Sequence, residues 1–199
     1  MSFEKDDDND TPSHGDGELS QSVISQSFSK NKKKIAIGLL MFFVVLAMLF
    51  WIELAPNRDL QSVIGRPGND IVEAKSHYEG WLNPSVLIYD LRDVSGNATR
   101  LDVFRVFLQF AEIQKSKKYE RVVLCRNGEP RFIIDGAYFQ EIGQEYEMQN
   151  PMYTIRTFPT HLLTVDGRHP YSEYEGGILG VLSKEMEQFS DFCDEWFRP

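Results

Sequence analysis

Residues 121–134 read RVVLCRNGEPRFII, and this stretch decides the fold. Its two halves are runs of branched and aromatic apolar residues, which favour β-strands. Between them stands Asn127-Gly128, the strongest short-range signal of a tight hairpin turn. The stretch therefore predicts two antiparallel strands, Arg121–Arg126 and Arg131–Ile134, joined by that turn.

A strand and a helix precede the hairpin. Val86–Leu91 is a continuous apolar run of the kind found in buried strands. Thr99 and Asp102 resemble a helix start, and residues 101–113 are apolar on most of the helical circumference. Because a strand, a crossover helix and a parallel strand form a right-handed unit, the sequence predicts a mixed sheet with β-α-β-β order. The fold class is therefore α/β or α+β.

The rest of this domain is predicted in shorter pieces. Tyr138–Tyr146 is predicted as a short helix, Met152–Phe158 as a strand, and Leu162–Val165 as a further strand followed by a turn. Apolar residues recur at helical spacing over Ile178–Phe197, with polar residues between them. This pattern predicts a long amphipathic C-terminal helix.

A transmembrane helix is predicted over residues 35–55. Its core reads IAIGLLMFFVVLAMLFWI, 18 residues without a charge, and Glu53-Leu54-Ala55 extends it to 21. A helix of about 20 residues spans a hydrocarbon core of about 30 Å, and a buried core helix is rarely apolar on every side. A cleaved signal peptide is a weaker alternative, because the run is long and Glu53 stands where cleavage needs a small residue.

Flanking charges set the expected orientation. Four lysines crowd residues 30–34, whereas the far flank offers only Arg58 and Arg66. By the positive-inside rule, residues 1–34 form a cytoplasmic tail, predicted to be disordered because it has few apolar residues. The remainder is then exported, which in a bacterium means a periplasmic domain anchored in the inner membrane. A eukaryotic lumenal domain, with Asn97 as a glycosylation acceptor, is the alternative.

Residues 56–84 are predicted to link the span to the domain as an irregular stalk and a short amphipathic helix. The breaker pair Pro67-Gly68 ends the stalk, and Asp70 with Glu73 resembles a capping box. The apolar residues that follow fall at roughly helical spacing. Residues 85–199 are then predicted to form one exported domain.

The overall composition excludes several classes of protein. A net charge of −9, from 21 Lys and Arg against 30 Asp and Glu, argues against nucleic-acid binding, which needs a basic surface. With 42% hydrophobic and 26% charged residues, the chain is neither a multi-span membrane protein nor wholly disordered.

Cysteines and histidines offer little for metal or redox chemistry. Cys125 and Cys193 form no CxxC pair, which disfavours a zinc ribbon or a thioredoxin-like site. Both fall on predicted apolar faces, where free cysteines behave as small hydrophobes; one disulfide is the alternative. His161 and His169, with Asp166 between them, only weakly suggest a metal site. The sequence predicts no metal and no cofactor.

The candidate catalytic residues are Asp90 and Asp93, which follow the first predicted strand together with Arg92. Sites in sheet proteins tend to form at the carboxyl ends of parallel strands. Two carboxylates there could perform acid/base chemistry or hold a divalent cation. A salt-bridged turn is the structural alternative, and it is the favoured one.

The candidate partner-binding surface comprises Asn150, Tyr153 and Arg156. Tyr and Arg are frequent hot-spot residues at protein interfaces. The same composition equally suits an ordinary edge strand.

The leading functional hypothesis is a non-enzymatic interaction module, an accessory, assembly or sensing component of an envelope complex. It would contact the lipid bilayer through residues 35–55 and bind one or more envelope proteins, but no nucleic acid. The alternative is a membrane-tethered hydrolase that uses Asp90 and Asp93. A third hypothesis is a signalling protein whose tail reports the state of the exported domain.

Overall fold

The computed structural model describes residues 17–80, 83–148, 150–174 and 177–197. The elements, in chain order, are α1 (Gly17–Ile64), β1 (Val72–Gly80), β2 (Asn83–Val94), α2 (Arg100–Gln114), β3 (Arg121–Arg126), β4 (Glu129–Asp135), α3 (Gly136–Glu145), α4 (Pro151–Thr157), a 3₁₀ turn (Phe158–His161), β5 (Leu162–Thr164) and α5 (Ile178–Phe197). The chain divides into two compact units, residues 1–48 and 49–199.

The described part of the first unit is helical and apolar. Large apolar side chains from Ile35 to Met48 are 38–64% exposed. Among the described residues, one helix is long and apolar enough to cross a membrane, over Ile37–Ile64, and its most apolar stretch has no buried side chain. This exposure distinguishes it from the core helix of a soluble protein. The helix begins at Gly17, so it extends into the segment predicted as a tail, whose residues 1–16 lie outside the described ones.

The second unit is an α+β domain around a five-stranded mixed sheet with the order β1-β2-β3-β4-β5. β2 and β3 are parallel and joined through α2, while β3 and β4 form an antiparallel hairpin. The predicted β-α-β-β nucleus and C-terminal helix are therefore confirmed. At the hairpin, Asn127 has φ 52° and Gly128 has φ 84°, as a type I′ turn requires.

Helices cover one face of the sheet and enclose an aromatic core. The fully buried rings include Tyr89 of β2, Phe104 and Phe107 of α2, Phe132 of β4 and Trp196 of α5. The Trp196 Nε1–H donates to the Cys125 carbonyl at 3.1 Å, which fixes α5 on the sheet. The other face carries a separate small apolar cluster of Val86, Val123 and Cys125.

The predicted stalk is wrong, because α1 continues to Ile64 and its last turns belong to the domain. Leu60 and Val63, three residues apart on one helical face, are fully buried in the main core. Pro56 lies inside the helix. A proline removes one helical hydrogen bond, and burial of the following turn offsets that cost.

The end of α1 also lies against the edge of the sheet. The Asn57 Oδ1 accepts a hydrogen bond from the Ser76 N–H at 3.2 Å. The Gln61 Nε2–H donates to the Ala74 carbonyl at 3.0 Å. These two side chains bind backbone groups of the edge strand β1 that no neighbouring strand can pair.

Two predicted elements have the wrong type. The short helix after Asp70 is instead β1, in which Val72, Ala74, Ser76 and Tyr78 are buried and the residues between them are exposed. This alternation has the period of a strand.

The predicted strand at Met152–Phe158 is instead α4. It begins with Asn150 as N-cap and Pro151 in the first turn, a favoured helix start. The buried side chains of Thr154 and Ile155 lie on one side of this short helix. Tertiary packing therefore overrides the β-propensity of the segment.

The remaining predicted elements are confirmed. The helix predicted at Tyr138–Tyr146 is α3, and the strand predicted at Leu162–Val165 is β5. A Cβ atom at Gly143 would lie 2.3 Å from the Ala111 carbonyl oxygen, so glycine lets α3 approach α2 closely. That approach sets the position of α3 in the site described next.

Candidate functional site

A small polar cleft lies between α3, α4 and the 3₁₀ turn, with a volume of about 70 Å³. Caps fix both helices: Asp135 accepts from the Ala137 N–H at 2.8 Å, and Asn150 accepts from the Met152 N–H at 3.0 Å. The cleft is lined by Tyr138, Glu141, Ile142, Glu145, Tyr153, Thr154, Thr157 and His161. Such a volume holds a group of a few atoms.

Glu141 and Glu145 give the cleft its charge. They lie four residues apart, on the same side of α3. Neither carboxylate forms an ion pair with any residue in the described part of the chain. Two like charges beside each other are unfavourable unless a cation neutralises them.

Tyr138 forms one wall of the cleft and brings a shielded hydroxyl group. Its hydroxyl oxygen is hidden from solvent and lacks a hydrogen bond of good geometry within the described residues. Burial raises the pKa of Tyr138, the neighbouring Thr157 side chain acts the other way, and Glu141 adds to the rise. The hydroxyl therefore stays neutral at physiological pH and is suited to hydrogen bonding rather than to nucleophilic attack.

His161 stacks face to face on Tyr138, with ring centroids 3.7 Å apart and an interplanar angle of 4°. Its Nδ1 lies 3.0 Å from the Thr157 carbonyl oxygen. A carbonyl only accepts hydrogen bonds, so Nδ1 carries the proton and Nε2 has a free lone pair in the neutral ring. The stack thus holds one histidine nitrogen and one tyrosine hydroxyl in fixed positions.

The three residues of the predicted partner-binding surface have different positions. Tyr153 is 54% exposed and lines the cleft. Asn150 is occupied as the N-cap of α4. The Arg156 Nε–H donates to Glu185 of α5 at 2.6 Å, so this guanidinium fastens α4 to the C-terminal helix. Tyr153 is the member of the set that lines an open site.

Asp90 and Asp93 lie within β2, which extends to Val94 rather than ending at Leu91. Asp90 is 1% exposed; it accepts a hydrogen bond from the Gly128 N–H at 2.9 Å and forms an ion pair with Arg92. Asp93 is exposed. The Asp90 carboxylate is therefore already paired within the protein, as the salt-bridged alternative to a catalytic role predicts.

The two cysteines are both free and both buried. Cys125 belongs to the small cluster on one face of the sheet and Cys193 to the main core on the other. Burial raises the pKa of the Cys125 thiol to about 12, and the nearby Asp90 carboxylate adds to the rise. Burial likewise raises the pKa of Cys193. Since the thiolate is the reactive form, neither residue is a nucleophile at neutral pH.

His161 and His169 do not share a metal site in this structure. Among the described residues, no group of three His, Cys, Asp or Glu side chains is placed to hold a metal ion. Asp166 instead organises the turn after β5. Hydrogen bonds from Thr164 and Arg168 lower the pKa of Asp166.

The sequence predicts Tyr153 as a binding residue but does not indicate that Glu141, Glu145 and Tyr138 lie beside it. The available signal was the spacing of the two glutamates on the predicted helix at Tyr138–Tyr146. The position of α4 against that helix depends on long-range packing, which local patterns do not reveal.

Comparisons with known proteins add no relative. No protein-family model matches the chain, and neither the curated proteins nor the solved structures include a significant match.

Proposed function

We propose that the protein is a single-pass, membrane-anchored interaction module of the bacterial cell envelope. In this proposal the N-terminal segment is cytoplasmic and the α+β domain is periplasmic, as the lysines at residues 30–34 favour. The exposed apolar part of α1 supports the anchor. The domain would serve as an accessory, assembly or sensing component of a larger complex.

The cleft between α3 and α4 is the proposed partner site, and the observation that carries this assignment is its pair of unneutralised carboxylates. Glu141 and Glu145 stand beside the aromatic rings of Tyr138 and Tyr153. Carboxylates and tyrosine rings together attract an ammonium or guanidinium group. We therefore propose that the cleft receives a Lys or Arg side chain of a partner protein.

The alternative, a hydrolase that uses Asp90 and Asp93, has less support. Asp90 is buried and neutralised by Arg92, so it is poorly placed to meet a substrate. Asp93 is exposed and does not share that environment.

The proposal can be tested by photo-crosslinking in the native membrane. Benzoylphenylalanine at position 153 should give an adduct of defined mass, whereas the same probe at position 165, which is exposed but outside the cleft, should not. The double variant Glu141→Gln/Glu145→Gln should lower the yield at position 153 by about tenfold, since charge-assisted hydrogen bonds are lost. Glu147→Gln, which removes a nearby exposed charge, is the matched control.

The outcomes separate the two parts of the proposal. Absence of any adduct at position 153 would contradict an interaction at the cleft. An adduct that survives the double variant would retain the interaction but contradict recognition of a basic side chain.

A further inference from the structure

The turn that follows α2 lies close to the end of the apolar part of α1. Asp59 stands four residues after Ala55, the last residue of the apolar run. Its Oδ2 accepts hydrogen bonds from the Gln114 Nε2–H at 2.9 Å and from the Lys117 ammonium at 3.2 Å. The turn of residues 115–118 is therefore held against α1 one helical turn beyond that run.

With the proposed span ending at Ala55, this contact would fall at the depth of the lipid headgroups. Four helical residues rise about 6 Å along the axis. The headgroup layer on each side of a bilayer is about 5–7 Å thick, the difference between a core of about 30 Å and a total of about 40–45 Å. Pro56, directly after the apolar run, is already buried.

On the turn after α2 and the neighbouring end of α1, cations outnumber carboxylates. Arg58, Lys115 and Lys118 are exposed, and Lys117 is partly exposed beside Asp59. Glu112 makes a loose ion pair with Lys115, at 3.7 Å. On the turn and the end of α1, four cations thus face two carboxylates; the start of β3 adds one cation and two carboxylates. At the nearby start of β3, Arg121 pairs with both Glu79 and Glu120.

We propose that Arg58, Lys115, Lys117 and Lys118 form a basic collar that binds anionic phospholipid headgroups in the leaflet on the C-terminal side of the span. This inference rests on the membrane anchor of the proposed function but not on the cleft. Anionic lipid is the favoured ligand, because the collar lies at headgroup depth and lysines bind phosphate oxygens as point charges. Each cation at such a surface strengthens attraction to anionic lipid by about fivefold.

The test uses the full chain in nanodiscs of phosphatidylcholine, with or without added phosphatidylglycerol. Hydrogen exchange is measured for residues 113–120 and, as an internal reference, for residues 164–169. Residues 164–169 follow β5, which runs away from the start of β3 and from the collar. Exchange at residues 113–120 should slow by several-fold in the anionic discs and recover when salt is raised.

Three variants sharpen the result. Lys115→Glu/Lys118→Glu should abolish the lipid-dependent protection, whereas Arg168→Glu, an exposed cation beyond β5, should retain it. Lys118→Gln is a milder substitution, because it removes one exposed charge and should leave the fold intact. It should reduce the lipid-dependent protection. Equal exchange of the wild-type chain in both kinds of disc would overturn the collar. Failure of the chain to float with lipid would overturn the anchor itself.

Discussion

Asp90 is the only fully buried carboxylate among the described residues, and its partners show what it does at the scale of a single residue. It joins the Gly128 N–H of the β3–β4 hairpin to β2 and neutralises Arg92. A buried carboxylate with both functions stabilises the sheet. This structural role is sufficient to explain why a carboxylate is present at position 90.

The variant Asp90→Asn should therefore be destabilised. An amide oxygen can still accept from Gly128, but the charge that faces Arg92 is lost. We expect the free energy of unfolding to fall by about 1–3 kcal/mol, measured by denaturant titration of tryptophan fluorescence in detergent. Asp93→Asn, at an exposed position, should change it by less than about 0.5 kcal/mol. Unchanged stability of Asp90→Asn together with loss of a phenotype would instead favour the hydrolase.

At the scale of elements, α1 combines two different environments in one helix. Its large apolar side chains from Ile35 to Met48 are exposed, while Leu60 and Val63 are part of the domain core. Asp59, Gln114 and Tyr119 add a partly buried chain of hydrogen bonds between α1, α2 and the start of β3. The end of α1 is thus a structural element of the domain rather than a spacer.

The variant Leu60→Ala should show directly that the end of α1 is part of the domain core. Removing a fully buried side chain leaves a cavity, so the free energy of unfolding of the domain should fall by about 2–5 kcal/mol. Leu54→Ala removes the same atoms from a position on the same helix that is 44% exposed. It should leave the denaturation midpoint of the domain unchanged. Equal effects of the two variants would contradict the burial of α1 in the core.

The sequence predicted elements best where local signals were strong. The hairpin at Asn127-Gly128, the cap at Thr99 and the apolar face of α5 all act within a few residues. The sequence predicts a short helix over much of Val72–Gly80 because a few apolar residues fit helical spacing, but the segment is a strand. Its strand alternation places polar Ser76 among the buried residues.

The cleft could be predicted only in part for a related reason. The sequence shows the glutamates and Tyr153 but predicts a strand where the structure has α4. The sequence therefore could not indicate which side chains would face one another.

At the scale of the whole molecule, many ionisable groups are buried in their neutral form. Burial raises the pKa of Cys125 to about 12 and raises the pKa values of Cys193, Tyr89 and Tyr119 as well. The folded state therefore retains protons that the unfolded chain releases at lower pH. Its stability should fall as pH rises from about 9, the ordinary thiol value, towards about 12.

This loss can be measured as the melting temperature between about pH 7 and about pH 11. The temperature should be nearly constant at first and then decrease once unfolded thiols and phenols ionise. As a check on the thiols, neither Cys125 nor Cys193 should react with iodoacetamide in the folded protein at neutral pH, and both should react after denaturation. Rapid modification of the native chain would contradict their burial.

The hydrogen bonds from Asn57 and Gln61 to β1 have a further consequence for biogenesis. A chain is synthesised from its N-terminus, so α1 exists before the strand whose edge it covers. Unpaired strand edges are the usual points at which newly made sheet proteins aggregate. A soluble version that began at residue 65 would lose both side chains and expose the Ser76 N–H and the Ala74 carbonyl. We therefore expect the end of α1 to limit self-association through this edge from the moment β1 is made.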